Sequence, residues 1–106
     1  MFARKVSLNL KPNAKVEFAK HLDKEIIPIL RKQKGFQDEI TFVGQGGTEA
    51  FGISLWDRAE DAEAYNRGTY PEVTKILASV VEGATQVETY GVANSTFHKI
   101  AAAVAA

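Results

Sequence analysis

Trp56, Tyr65 and Tyr70 are the residues whose types and spacing best suit chemistry. Trp56 falls at the end of an apolar alternating run, Tyr65 on the helical segment it leads into, and Tyr70 at the start of the next helical segment. A pocket lined by the three is apolar with two phenolic donors, which suits a flat aromatic substrate. The competing reading makes all three packing residues around a helix break, because large aromatics most often fill cores and interfaces.

The other polar motifs carry less. His21 lies in a helical stretch beside Leu22 and reads as a helix-surface histidine. His98 has no second ligand within helical reach, so no metal site is expected. Gly44-Gln45-Gly46-Gly47 resembles a phosphate loop only in composition. Such a loop joins a strand to a helix N-terminus, whereas this one lies between two strand-like runs and reads as a hairpin turn. Asp38-Glu39 and Glu60-Asp61 are adjacent carboxylates that point apart on a strand or helix, so both read as solvated charge rather than acid–base dyads.

The elements that must position these residues follow from periodicity. Residues 2–10 alternate, with Phe2, Val6, Leu8 and Leu10 on one face, broken only by Arg4, and Ala3, Lys5, Ser7 and Asn9 on the other. Pro12-Asn13 ends that strand, and Asn13 is expected to cap a helix running from Ala14 to about Lys34. Its apolar stripe is Val16, Ala19, Leu22, Ile26 and Leu30, broadened by Phe18 and Ile29. Pro28 predicts a kink or two helical pieces, and Gly35 a left-handed cap. Phe36–Val43 and Glu49–Trp56 read as a hairpin, with Phe36, Ile40 and Phe42 on one face of the first strand and Phe51, Ile53 and Leu55 on one face of the second. Asp57 with Glu60 forms a capping box opening a helix that stops at Gly68. Thr69-Tyr70-Pro71-Glu72 restarts a helix carrying Val73, Ile76, Leu77 and Val80, which Gly83 ends. Residues 84–93 read as a fourth strand, and Asn94-Ser95-Thr96 is expected to cap a last Ala-rich helix.

Composition bounds the function. The chain has 106 residues, 13 basic and 13 acidic, and no cysteine. This length suits one domain, here residues 1–93, followed by a helical tail at 94–106. Balanced charge argues against a nucleic-acid partner. The missing cysteine excludes disulfides and thiolate chemistry. No apolar run is long enough to span a bilayer, and the opening MFARKVSLNLK does not read as a signal peptide, so a cytoplasmic location is expected.

The order strand, helix, strand, strand, broken helix, strand is the split βαβ arrangement. It predicts an α+β, ferredoxin-like sandwich, a four-stranded antiparallel sheet with helices on one face. By the face assignment above, the other face carries Ala3, Lys5, Ser7 and Asn9, then Thr41 and Val43, then Gly52, Ser54 and Trp56. A face of that composition calls for cover, and a second copy of the chain is the economical choice. Ser54→Asp is then expected to weaken the homodimer.

The segments FARKVSLNLKP, IIPILRKQKGF, GISLWDRAEDAEAY and YPEVTKILASVV resemble the antibiotic-biosynthesis-monooxygenase-like family, over roughly residues 2–93. The resemblance implies a dimeric α+β barrel. Haem-degrading members carry an asparagine, a tryptophan and a haem-ligating histidine where this chain has Val6, Tyr65 and Lys75, which argues against haem chemistry. Cofactor-independent members share Trp56, but their asparagine and tyrosine fall at Gly52 and Ala62, with Tyr65 three residues further on. The expected function is thus a monooxygenase-like protein, without metal or tightly bound cofactor, acting on or binding a small phenol- or hydroquinone-type ring. Tyr65 and Tyr70 would donate hydrogen bonds to it, and Trp56 would help bind it. The alternative is a non-catalytic ligand-binding or structural homodimer with a filled site.

Overall fold

Alternation at the N-terminus produces strand β1, Phe2–Leu10. The chain is described by a computed structural model over residues 1–100. After β1 come helix α1 (Lys15–His21), a π-helical turn (Leu22–Ile26) and helix α2 (Ile27–Arg31). Asn13 does not cap α1. It occupies the left-handed region at φ 61°, which asparagine tolerates in turns, and Ala14 stands at the helix entry with no side-chain cap. The expected break at Pro28 takes the form of separate pieces. The Ile27 amide bonds back to Leu22 O, five residues earlier, and Pro28 sits in the first turn of α2. A wide turn upstream relieves the clash of a proline ring with the carbonyl four residues back. Val16, placed on the buried stripe by spacing, is 68% exposed, and Phe18 takes the core position.

Gly35 closes this segment at φ 81°, and a Cβ there would collide with the side chain of Asp61. Strands β2 (Phe36–Val43) and β3 (Glu49–Trp56) form the expected hairpin, closed through Gly44–Glu49 and Gly44–Gly47 backbone bonds. Helix α3 (Ala59–Gly68) and helix α4 (Tyr70–Leu77) are separated at Thr69. Strand β4 runs Val81–Gly91, starting three residues before the expected position and containing Gly83 at φ 71°. The sheet is antiparallel in the order β2-β3-β1-β4. It has the ferredoxin-like arrangement that the element order implied.

Two face assignments made from alternation are reversed. Phe36 pairs with Trp56, but Asp38 pairs with Leu55, so one extra residue, Gln37, interrupts the ladder. A bulge of this kind shifts the alternation by one. Beyond it Glu39, Thr41 and Val43 face the helices, while Ile40 and Phe42 lie on the open face, 52% and 44% exposed. On β3 the helix-facing residues are Gly52, Ser54 and Trp56, paired with Val6, Arg4 and Phe2. Trp56 is fully buried; its large apolar ring dominates the choice of face. Phe51, Ile53 and Leu55 therefore share the open face with Ala3, Lys5 and Ser7. Ser54 is buried, so Ser54→Asp does not probe that face.

The core lies between sheet and helices and includes Leu8, Leu10, Phe18, Ile26, Leu30, Trp56, Tyr65, Val73 and Leu77. The capping box at Asp57 does not form. Arg58 is the N-cap of α3, without a side-chain cap bond, and Asp57 accepts from Gln37 Nε2 at 2.7 Å instead. Ser95 Oγ accepts from the amides of Phe97 and His98, but this turn does not continue as a helix through residue 100. The Ala-rich remainder of the expected helix, 101–106, lies outside the described residues. Among the described residues no helix is long and apolar enough to cross a membrane.

Candidate functional site

Three strands and the helices above them surround a cleft of about 60 Å³, lined mainly by apolar side chains. Its floor is set by strand register. Arg4, Ser54 and Glu39 form one cross-strand row, and Val6, Gly52 and Thr41 form the next. Gly52 makes the cleft possible: a Cβ there would lie 2.9 Å from Glu39 Oε2 and 3.2 Å from Thr41 Oγ1. The roof includes Phe18, Leu22, Ile26, Tyr65, Tyr70 and Val73. Leu22 and Ile26 belong to the π-helical turn, a kind of irregularity frequent at functional sites.

The expected aromatic set is assembled. The Trp56 and Tyr65 rings lie 5.2 Å apart, and those of Tyr65 and Tyr70 lie 6.1 Å apart. Tyr65 and Tyr70 line the cleft, whereas Trp56 stands behind them and is not part of its wall. Trp56 Nε1 donates to Ser54 Oγ at 2.8 Å, which satisfies a donor that burial would otherwise orphan. Tyr70 Oη and Thr85 Oγ1 are 2.6 Å apart.

Arg4 is the residue that periodicity registered only as an interruption. It is 3% exposed, and its guanidinium carbon lies 4.1 Å from the Tyr70 ring centre and 5.1 Å from that of Tyr65. Its Nη2 donates to Asn66 Oδ1 at 2.8 Å, but its buried Nε has no hydrogen-bond partner. Burial pulls the guanidinium below its ordinary pKa, opposed by Tyr65 and Tyr70, and arginine nevertheless stays charged in proteins. Burial also raises Tyr65 to about 12, with the Arg4 charge working the other way. Tyr65 is thus a neutral phenol and a donor at physiological pH.

Glu39 was expected to be solvated together with Asp38. The bulge separates them: Asp38 is exposed, while Glu39 is partly buried on the cleft floor. Burial pushes its carboxyl above the usual range, partly offset by the hydrogen bond it accepts from Thr41 Oγ1. No signal in the residue types alone revealed this, because the phase of β2 depends on the bulge. Arg4 did carry a signal, since a charge on the apolar face of a strand must be either solvated or matched.

The histidines lie elsewhere. His21 Nδ1 is 3.3 Å from Glu25 Oε2 on its own helical segment, and His98 contacts Asp38 across the sheet end. Among the described residues no group of three or more potential ligands is placed to hold a metal ion.

No protein-family model matches the chain, and no curated protein matches it in sequence. Solved structures do match. A protein of unknown function from Nitrosomonas europaea superposes with a TM-score of 0.73 at 14% identity, covering 90% of this chain and 91% of that one. A protein from Bordetella bronchiseptica, provisionally named an antibiotic biosynthesis monooxygenase, gives 0.71 at 10% identity, covering 86% and 96%. One from Deinococcus radiodurans with the same provisional name gives 0.72 at 11%, covering 90% and 95%. The fold is antibiotic-biosynthesis-monooxygenase-like. That agrees with the family resemblance in the sequence. At these identities the monooxygenase-like fold is what is shared, and activity has to be argued from the cleft itself.

Proposed function

We propose that the cleft binds a small ring of the phenol or hydroquinone type and that the protein acts on it as a monooxygenase whose electrons come from the ring. The observation that carries this reading is the buried Arg4 guanidinium, with a partnerless Nε, lining a mainly apolar cleft beneath two tyrosines. A ring oxygen carrying negative charge satisfies that donor, and the walls accept the ring. Tyr65 and Tyr70 serve as further donors to developing charge on oxygen, and Trp56 supports the Tyr65 ring from behind. The reaction balances without an outside reductant. In the keto form of a phenol a ring CH2 becomes a carbonyl, one oxygen atom of O2 enters the ring, and the other leaves as water.

The second reading, a non-catalytic homodimer with a filled site, is favoured by the size of the cleft. About 60 Å³ holds a few waters, whereas a cavity that takes up benzene measures roughly 150 Å³. Under the proposal the cleft widens to admit a ring. Oxygen uptake with a panel of phenols and hydroquinones, alongside calorimetric binding, separates the two. Turnover that falls in the Tyr65→Phe/Tyr70→Phe variant supports the proposal. Equal rates in wild type and variant discard the tyrosine roles, and no binding of any ring leaves the filled-site reading.

We further propose a homodimer through the open sheet face, as the sequence suggested, with the interface residues corrected. Ile40, Phe42, Phe51, Ile53 and Leu55 share that face, and so much clustered apolar surface is unusual on a free monomer.

A further inference from the structure

The floor of the cleft holds two opposite charges that do not meet. Arg4 and Glu39 flank Ser54 in one cross-strand row, which sets their Cα atoms roughly 10 Å apart, two strand spacings. Both side chains line the cleft, yet among the described residues no ion pair joins them. Burying a cation and an anion without pairing them is costly. Direct contact would be the cheap solution, and the space above Ser54 and Gly52 keeps them apart. Glu39 Oε2 leans over Gly52, on one side of that space. Arg4, across Ser54 from it, has a buried Nε without an acceptor.

We propose that Glu39 and Arg4 form a proton-accepting and anion-holding pair that selects a neutral ring with an acidic hydroxyl and binds it as the phenolate. This deepens the reading of the cleft given above and rests on it. The ligand O–H bond breaks, its proton passes to a Glu39 carboxylate oxygen, and the electron pair stays on the ring oxygen. That oxygen then accepts from Arg4 Nε. No electrons change hands, and the cleft stays neutral overall because Glu39 loses its charge as the ligand gains one. Thr41 steadies Glu39 through its hydroxyl. Tyr65 and Tyr70 complete the polar surroundings; neither carries a charge that competes for Arg4 while it remains a phenol. Burial of Glu39, which strengthens it as a base, acts in the same direction. The pairing also accounts for Gly52, since any side chain there would displace the carboxylate. A ring lacking an ionisable hydroxyl, such as toluene, gains only the apolar walls.

The test is titration with 4-nitrophenol, whose visible absorbance reports its ionisation, at a pH where the free compound is mostly protonated. Wild-type protein is expected to bind it and to develop the phenolate band. Glu39→Gln keeps shape and hydrogen bonding, and is expected to release about one proton to the buffer per phenolate bound, read by calorimetry in buffers of different ionisation heat, where wild type keeps that proton. Arg4→Met is expected to lose affinity by about tenfold or more, the loss of one charge-assisted hydrogen bond, and Arg4→Lys to recover part of it. Melting curves confirm that each variant is folded. Bound nitrophenol that stays neutral in wild type, or proton release unchanged in Glu39→Gln, overturns the pair while leaving the cleft as a ring site. Absence of binding at millimolar ligand overturns the cleft reading itself and this inference with it.

Discussion

The two faces of the sheet are built from the same strands and solve opposite problems. The helix-covered face is mainly apolar but holds two charges on the floor of the cleft, Arg4 on the inner strand β1 and Glu39 on the edge strand β2. The open face is apolar over β2 and β3, where Phe42 and Phe51 stack with ring centres 4.9 Å apart, and polar toward β4, where Lys5 pairs with Glu88 and Ser7 with Gln86. Lys5 lies over Phe51, its ammonium 4.9 Å from the ring centre. Charge enclosed by the protomer faces the cleft. Apolar surface left outside is placed where only another apolar surface matches it.

Neighbouring residues on β3 give the sharpest contrast. Trp56→Ala, on the covered face, is expected to cost about 3–5 kcal/mol of folding stability, seen as a large drop in denaturation midpoint. Leu55→Ala, one residue away on the open face, is expected to cost about 1–2 kcal/mol at most in the isolated protomer. Similar losses in chemical denaturation would break the division between faces. Next in size is the effect on the proposed second copy. Phe42→Asp is expected to shift self-association at least about tenfold, read by sedimentation at micromolar concentration, and an unchanged mass there removes the second copy from the open face.

A smaller effect separates the two carboxylates at the start of β2. Burial raises the Glu39 pKa in the folded state, so the fold binds a proton more readily than the unfolded chain does. That contribution is fully present below the ordinary glutamate range and is lost as pH rises through the raised value. Wild type is therefore expected to lose stability over that window relative to Glu39→Gln, in paired urea titrations, and parallel pH profiles would place Glu39 in solvent with Asp38. The smallest change expected is for Asp57→Ala. Asp57 bonds to an exposed glutamine side chain rather than capping α3, so the melting shift should correspond to no more than about 0.5 kcal/mol. A loss of about 1 kcal/mol would mark a helix cap after all.

The order of elements was legible because it depends on local periodicity, and β1 in particular shows its alternation without interruption except at Arg4. The aromatic trio was legible for a similar reason: a strand end, a helix and a helix restart are local signals. The polar half of the site was not. Glu39 faces inward only because Gln37 is looped out opposite Trp56, and nothing in the residue types QDEITFV distinguishes a bulged strand from a regular one. Trp56 shows the same limit from the other side. Alternation separates it from Leu55 but does not say which of them meets the helices; that was decided by packing against Phe36 and Tyr65.

Gln37 gives the chain a dependence on parity. Phe36 and Glu39 both face the helices although they stand an odd number of residues apart, and the looped-out residue absorbs the difference. Were Gln37 drawn into a regular ladder, the odd and even positions of β2 beyond it would exchange sides of the sheet. Ile40 and Phe42 would then crowd the floor beneath the tyrosines, and Glu39 would join the open face. Removing the Gln37 codon, by contrast, would leave Asp38 opposite Leu55 and Glu39 opposite Ser54, a regular strand with the same residues inside.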